Sequence, residues 1–477
     1  MKLYLVQKFN RTPYIQAKDP LWLEYIQIIT GNNFSNIANV CDVNCGNGKM
    51  LCALAFLYPN IRFTGISLNL EDKRHAVKIK SALNLQNIDF FYAASISEIP
   101  SFYLPPQSLV FLHNIWNFCD EEERKTLSQF ANTSGITIVS YDALPGHASL
   151  IAIHHTLVKN NNAGKTLHYI NQHYGSYFQA HPVAGVLMNE DMNRYMHPKW
   201  HPQSVEQLSE YFSAPLKGEF PVYKNYPYVG MSKEEKELFS QIKDPLYFSA
   251  MKDYTFNTTN RTDIFANPLS KKGRNFSDLS FGQITSHKSF PNKIVKGRIT
   301  FFYQKQIFQD IFKKTKHGFV PYIDVKESLP QCSDYELTKA IHELVAGEVL
   351  QVSLCPYKTQ TTITLENFNG KIKFTHPFNE YISQNTPLEG NIFINPETKT
   401  IIPVEGMECA LLQALTKVTL PLAAQLCAAN FIKNNPQNHL LGKNHKQITN
   451  NFLIALDRLK NRYLPKLVEM NMVEILG

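Results

Sequence analysis

Between residues 38 and 145 short apolar runs alternate with amphipathic stretches, and few folds accommodate that alternation. Ala38–Val43, Ile61–Ile66, Ile88–Ala93, Leu109–His113 and Gly135–Tyr141 read as brief buried strands. Lys49–Leu57, Glu71–Leu83 and Asp120–Phe130 read as helices, with Ala76, Ile79 and Leu83 on one face of the second. Strand followed by helix, repeated, predicts a parallel sheet covered on both faces. A ligand in such a sheet binds at the carboxyl ends of the strands, where the strand order reverses.

The chain has 477 residues, too many for one ordinary domain, and three or four units are expected. Its composition, 44% hydrophobic and 18% charged, excludes disorder as the main state. A net charge of +8 is diffuse over this length, so no nucleic-acid partner is expected. The eight cysteines (41, 45, 52, 119, 332, 355, 409 and 427) form no C-x-x-C pair, which predicts reduced thiols in a cytoplasmic location. The apolar stretch Leu3–Val6 is too short for a signal peptide. Cys409–Ile432 is interrupted by Gln413, Lys417, Pro421 and Gln425, and reads as core helices rather than a membrane span.

Further along, Ser204–Phe212 reads as a helix, and the polar run at 257–276 as a loop or boundary, marked by Pro268, Ser270, Lys271, Lys272 and Gly273. Ser333-Asp-Tyr-Glu336 is a capping box ahead of a stripe of Leu337, Ile341, Leu344 and Val345. Gly347 is expected to end that helix in the left-handed conformation, before a strand over Val349–Leu354. The chain is expected to finish on an amphipathic helix carrying Phe452, Leu456 and Leu459.

The sharpest local feature is Asp42-Val-Asn-Cys-Gly-Asn-Gly48, which joins the first strand to its helix. Gly46 and Gly48 remove side chains that would keep backbone N–H groups from a ligand. A Walker phosphate loop is excluded, because Lys49 is followed by Met50. The second strand ends at Thr64-Gly-Ile-Ser-Leu-Asn69, where a ribose-binding residue is expected.

On these residues the sequence resembles a bacterial class I S-adenosylmethionine-dependent methyltransferase with a methyltransferase regulatory domain. More narrowly, it is similar to the rickettsial protein-lysine methyltransferases that modify outer-membrane protein B. Thr12-Pro-Tyr14 resembles that family's proline–tyrosine element, and Leu109-Val-Phe-Leu-His-Asn-Ile-Trp-Asn-Phe118 its fourth-strand segment. Ser140-Tyr-Asp-Ala-Leu-Pro-Gly146 resembles its "SYN-x-x-PG" signature. His197-Pro-Lys-Trp-His-Pro202, the run from Lys252 to Phe265, and Asn395-Pro-Glu-Thr resemble pieces of its later domains. Three departures stand out: Asn44 and Asn114 replace glycines, and Ser67 replaces a carboxylate that receives the ribose hydroxyls.

The resemblance implies an α/β fold: a Rossmann-like class I methyltransferase domain followed by mostly helical regulatory, winged-helix-like and C-terminal domains. The corresponding ranges are 1–185, 186–285, 286–360 and 361–477. It implies S-adenosylmethionine as cofactor, no metal, and a lysine of an outer-membrane-type protein as acceptor; a homodimer is compatible with it. Asp42, Asn44, Gly46, Gly48, Ser67, Asn69, Ser95 and His113 are the cofactor-side candidates, although Asp42 could simply orient the loop, Ser95 be a turn serine and His113 a core histidine. Tyr14, Trp116 and Tyr141 are candidates for an aromatic slot that lowers the pKa of a lysine acceptor by desolvation, with Asn114 and Asn117 as positioners. Trp116 and Phe118 could equally be core aromatics. The pair His197 and His201 has metal-like spacing, but Pro198 and Pro202 oppose a helix that presents both.

Two rival functions remain. The departures at Asn44, Ser67 and Asn114 fit a weak or silent relative acting as a scaffold. An RNA methyltransferase docking through the 333–354 unit is disfavoured, because Glu336, Glu343 and Glu348 outnumber Lys339 and His342 there.

Overall fold

The computed structural model describes residues 15–32, 37–101, 108–132, 134–148, 151, 198–226, 228, 231–267, 274–286, 289–296, 299–359, 368–385, 391–434 and 445–476. An N-terminal helix, α1 (Pro20–Thr30), opens on an Asp19 cap whose carboxylate accepts from the Leu21 amide, with Pro20 in the first turn. The predicted alternation follows: β1 (Asn39–Val43), α2 (Lys49–Leu57), β2 (Arg62–Ser67), α3 (Leu70–Ala82), β3 (Ile88–Tyr92), β4 (Leu109–Leu112), α4 (Glu121–Ala131) and β5 (Ile136–Asp142). Asn69 caps α3, and Asp120 with Glu123 forms a capping box on α4.

These five strands are parallel and lie in the order β3-β2-β1-β4-β5. The chain winds outward from β1 to β3, then returns to place β4 on the other side of β1. The crevice between β1 and β4 is therefore the switch point. Both faces of β1 are buried: Val40 packs into one hydrophobic cluster, Cys41 and Val43 into another.

The sheet does not end with β5. After α5 (His201–Phe212) come β6 (Leu216–Phe220), α6 (Lys233–Phe239), α7 (Pro245–Phe256) and β7 (Asn260–Ala266). β7 runs antiparallel beside β5, pairing Tyr141 with Arg261, and β6 runs antiparallel beside β7. The seven-stranded sheet thus takes its last two strands from the range expected to form a separate, mostly helical unit after residue 185. The reason is physical: β5 is apolar on both faces and would otherwise stand as an unpaired edge.

A small unit follows, in which β8 (Ser280–Gly282), β11 (Gly318–Pro321), β12 (Gln351–Ser353) and β13 (Tyr357–Lys358) form an antiparallel sheet ordered β12-β8-β11-β13. β9 (Lys293–Lys296) and β10 (Ile299–Phe302) form a hairpin, and α8 (Gln306–Lys314), α9 (Tyr322–Glu327) and α10 (Asp334–Ala346) pack with this unit. The capping box at Ser333 and Glu336 is formed as the sequence predicts. Gly347 does not take the left-handed conformation; its φ is −81° and the next residue, Glu348, has φ 58°. Gly347 is needed for space instead, since a Cβ there would lie 1.8 Å from the Tyr303 hydroxyl.

The last unit holds β14 (Lys371–Phe374), α11 (Pro377–Asn385), the hairpin β15 (Asn391–Asn395) and β16 (Thr400–Val404), then α12 (Gly406–Leu415), α13 (Leu420–Asn434), α14 (His445–Arg458) and α15 (Leu464–Glu469). Phe452 and Leu459 are buried in its core. The final element is not that helix but β17 (Val473–Leu476), which pairs antiparallel with β14. The apolar stretch around Cys409 is broken between α12 and α13, and among the described residues no helix is long and apolar enough to cross a membrane.

Candidate functional site

The loop Asp42–Gly48 leaves β1 at its carboxyl end and enters α2. Three of its residues have positive φ: Asn44 at 69°, Gly46 at 61° and Gly48 at 73°. Asparagine is the non-glycine residue that best tolerates this region, so Asn44 preserves the backbone that a glycine would adopt. The same holds for Asn114 after β4, with φ 52°. The amides of Asn44 and Cys45 both donate to the Ile66 carbonyl, 2.8 and 3.1 Å away, which pins the loop to the end of β2. Gly48 has a second reason to lack a side chain: a Cβ would sit 2.4 Å from that of Ala76 and 2.9 Å from the Phe90 ring.

Asp42 is buried and is met by Lys18, whose Nζ donates to Oδ2 at 2.5 Å. Lys18 is itself buried and stands one residue before the Asp19 cap of α1. Among the described residues, the other carboxylate oxygen, Oδ1, has no hydrogen-bond partner. Burial raises the Asp42 pKa, and the Lys18 ammonium opposes that rise. Across the crevice, His113 at the end of β4 is pushed down to about 3 by burial and by the Lys18 charge, so its ring is neutral. Its Nδ1 lies 2.7 Å from Ser140 Oγ, which lies 2.9 Å from Thr262 Oγ1. Nothing in the local sequence announces Lys18. Its partner lies 24 residues on, and only the fold joins them.

At the ribose edge, Ser67 is buried with its hydroxyl turned back on the chain. It donates to the Asn69 carbonyl at 2.8 Å and accepts from the Asn69 amide at 3.2 Å. Its one donor is engaged in closing the turn from β2 into α3 rather than offered to a ligand. Asn69 also works locally, its Oδ1 accepting from the amides of Glu71 and Asp72. Ser95 lies exposed beyond β3, with its hydroxyl 2.8 Å from that of Ser97.

Of the three candidates for an aromatic slot, Trp116 and Tyr141 fall within the described residues. Trp116 is a core residue, 1% exposed, packed edge-on against Tyr211 and tilted against Phe212, with the Arg124 guanidinium 6.0 Å from its ring centroid. It plugs the face of the sheet beneath α5 because a strand-end aromatic there has a large apolar cluster to join. Tyr141 is buried too; its hydroxyl donates to Asp263 Oδ2 at 2.5 Å. Tyr14 lies outside the described residues. Asn117 accepts from the Asp142 amide at 2.9 Å and so ties the end of β4 to that of β5. Asn114 is half-buried at the edge itself.

Tyr141 belongs to a buried ionic network that links β5, β6, β7, α5 and α7. Arg261 donates to Glu219, to Asp253 Oδ2 at 2.7 Å and to Ser249 Oγ at 3.1 Å, and lies 3.4 Å from Asp263 Oδ1. Lys224 lies 3.5 Å from Asp253 Oδ1, and His201 Nδ1 lies 3.3 Å from the Tyr141 hydroxyl. Burial alone would raise Glu219, but the charges of Arg261, Lys252 and Lys224 outweigh it and hold the carboxylate low. Next to this network, His147 is fully enclosed; its Nδ1 bonds the Thr259 carbonyl and its Nε2 stands 3.7 Å from Asp142 Oδ1. His201 opens α5, while His197 lies outside the described residues.

No protein-family model matches the chain. Among curated proteins, an uncharacterized protein of Synechocystis is 24% identical over 260 residues, covering 49% of this chain and 51% of that protein. A tRNA (guanine-N(7)-)-methyltransferase of Rubrobacter xylanophilus is 38% identical over 74 residues, 15% of this chain and 32% of the relative. A ribosomal RNA small subunit methyltransferase G of Aster yellows witches'-broom phytoplasma is 29% identical over 89 residues, 18% and 42% of the two chains. The chain thus spans about half the length, or less, of the curated relatives it matches. Among solved structures, PKMT2 from Rickettsia typhi, one of whose structures is a complex with AdoHcy, aligns over 97% of this chain and 99% of its own. The TM-score is 0.59 at 15% and 16% identity, a likeness of fold rather than of detailed chemistry. In fold, then, the chain is a Rossmann-like protein of the class I methyltransferase type, similar to rickettsial PKMT2 along nearly the whole of both chains, as the resemblance of its strand-end motifs implies.

Proposed function

We propose that the chain is an S-adenosylmethionine-dependent methyltransferase whose acceptor is a protein lysine. The observation that carries this reading is the left-handed loop Asp42–Gly48 at the switch point of the sheet, within a fold that follows PKMT2 for almost its full length. The site fits an adenosyl cofactor in two respects. Asp42 Oδ1 is a buried acceptor with no donor among the described residues, and the positive-φ turn brings backbone rather than side chain to the crevice. Ser67 does not fit the ribose role, since its hydroxyl closes a turn. The cofactor would supply an activated methyl group on a sulfonium, and methyl transfer from it needs no metal. The chain's own residues would align the acceptor and exclude water. The methyl-transfer unit comprises the described parts of 15–148 and 198–266, because β6 and β7 complete its sheet.

All eight cysteines are free, five of them buried, which supports a reducing, cytoplasmic location. The test is incubation of the full chain with methyl-labelled cofactor and lysine-rich outer-membrane-type proteins, followed by amino-acid analysis. Label in methyl-lysine is the expected result. Label in added RNA instead would overturn the lysine assignment, and cofactor binding without transfer to either would favour the scaffold.

A further inference from the structure

The net charge of +8 is not spread evenly along the chain. Residues 288–316 hold eight lysines and arginines against one carboxylate, Asp310, and residues 417–466 hold eight against Asp457. The remainder of the chain is therefore net acidic. The fold brings the two basic segments together: the Ser286 amide, just ahead of the first, donates to the Arg462 carbonyl at 2.8 Å, and Lys466 Nζ donates to the Lys316 carbonyl. Lys293, Lys305, Lys313, Lys314 and Lys316 are exposed, and among the described residues no ion pair holds any of them. Apolar side chains stand among these cations. In the β9–β10 hairpin Lys293 pairs with Phe302 and Val295 with Thr300, so the four share one face, while Ile299 and Phe301 are buried on the other. Val295 and Phe302 are 57% and 58% exposed, and Lys293 Nζ lies 5.9 Å from the Phe302 ring centroid. Leu453 and Ile454 are likewise exposed on α14, about two turns on from Lys446. Lysines on a sheet edge also block strand pairing, but that role gives no reason for Val295 and Phe302 beside them.

We propose that this basic, partly apolar surface docks on an anionic lipid surface, with the β9–β10 hairpin as the element that enters the headgroup layer. The lysine ammoniums meet the headgroup phosphates, and their long stems let Val295 and Phe302 sink toward the acyl boundary. A nucleic acid is the poorer match. Seven of the eight cations in 288–316 are lysines, which lack arginine's planar fork. Val295, Leu453 and Ile454 are aliphatic, and bases stack on aromatic faces instead. The association is peripheral, since among the described residues no helix is long and apolar enough to cross a membrane. It needs no methyl transfer, so the inference stands apart from the cofactor reading.

Co-sedimentation of the full chain with lipid vesicles tests it. Vesicles of phosphatidylglycerol and phosphatidylcholine mixed equally should carry the protein down, pure phosphatidylcholine should not, and added salt should release it. Lys293→Gln and Lys314→Gln should each weaken binding about fivefold, the share of one lysine near an anionic surface. Phe302→Ser should weaken it about tenfold through lost apolar burial. All three positions are exposed, so melting temperatures should stay at the wild-type value, which reports that the variants are folded. Phe302→Trp locates the insertion: brominated phosphatidylcholine in the mixed vesicles should quench its added fluorescence. Equal binding to both vesicle types, binding to neither, or folded variants that bind like the wild type overturns the proposal. Absence of quenching overturns insertion by the hairpin. Tighter binding to single-stranded RNA than to the mixed vesicles at the same salt also overturns it, and assigns the face to nucleic acid.

Discussion

Asn44 and Asn114 both adopt the left-handed backbone, with φ of 69° and 52°. Asparagine tolerates that region best among non-glycine residues, so each position keeps a conformation that glycine would also adopt. Asn44→Ala should lower stability by about 1–2 kcal/mol, since alanine lacks asparagine's tolerance of this region, and Asn44→Gly should be close to neutral; urea unfolding distinguishes them. Ser67 closes the turn from β2 into α3 through the Asn69 backbone. Ser67→Ala should cost about 1 kcal/mol by unpairing the Asn69 backbone, and should shift S-adenosylhomocysteine affinity less than about twofold by titration. The glycines of the loop were legible in the sequence. The pairing of Lys18 with Asp42 was not, because a buried lysine carries no local mark of its partner.

At the scale of elements, the instructive pair is β6 and β7. Their residues, Leu-Lys-Gly-Glu-Phe and Asn-Arg-Thr-Asp-Ile-Phe-Ala, carry charges that read as exposed in isolation. In the sheet Glu219, Arg261 and Asp263 turn into the interior and neutralise one another with Asp253, Lys224 and Lys252. A charged strand is thereby buried at no net charge, and Tyr141 joins the network through Asp263. Arg261→Met should destabilise the protein by about 3–5 kcal/mol, because it strands three buried carboxylates; the urea midpoint measures it. Trp116→Ala should cost a similar amount, about 3–5 kcal/mol, as expected of a core aromatic whose loss leaves a cavity under α5.

Across the whole molecule, three histidines hold distant elements together in the neutral form. His342 on α10 accepts or shares hydrogen bonds with Tyr25 of α1 and Tyr226, at 2.6 and 2.7 Å, and burial pushes it down to about 3. His113 is likewise held at about 3, and His201 is held well below its ordinary value by burial and by Arg261. All three are depressed in the folded state, and for His342 and His113 the unfolded chain binds the extra protons between pH about 3 and about 6.5. The stabilising contribution of these two is complete above about pH 6.5 and is lost as the pH falls toward 3, by up to about 1.4 kcal/mol per pH unit for each group, and that of His201 is lost in the same direction. Melting temperature recorded from pH 7 to pH 4 should therefore fall steadily, and His342→Gln should make that fall shallower.

What the sequence determined by itself is everything that interactions within a few residues or a regular hydrophobic period can specify. The alternation of β1 to β5 with α2 to α4, the capping boxes at Asp120 and Ser333, and the left-handed turn after Asp42 are of this kind. What only the tertiary structure decided depends on contacts between positions far apart. Tyr141 meets Asp263 across 122 residues, and Lys18 meets Asp42 from a helical turn ahead of the sheet. Trp116 shows why periodicity cannot reach these outcomes. Both faces of the sheet are covered, so the depth at which an aromatic or a charge settles is set by whatever element packs over it, and for Trp116 that element is α5, which begins 85 residues later.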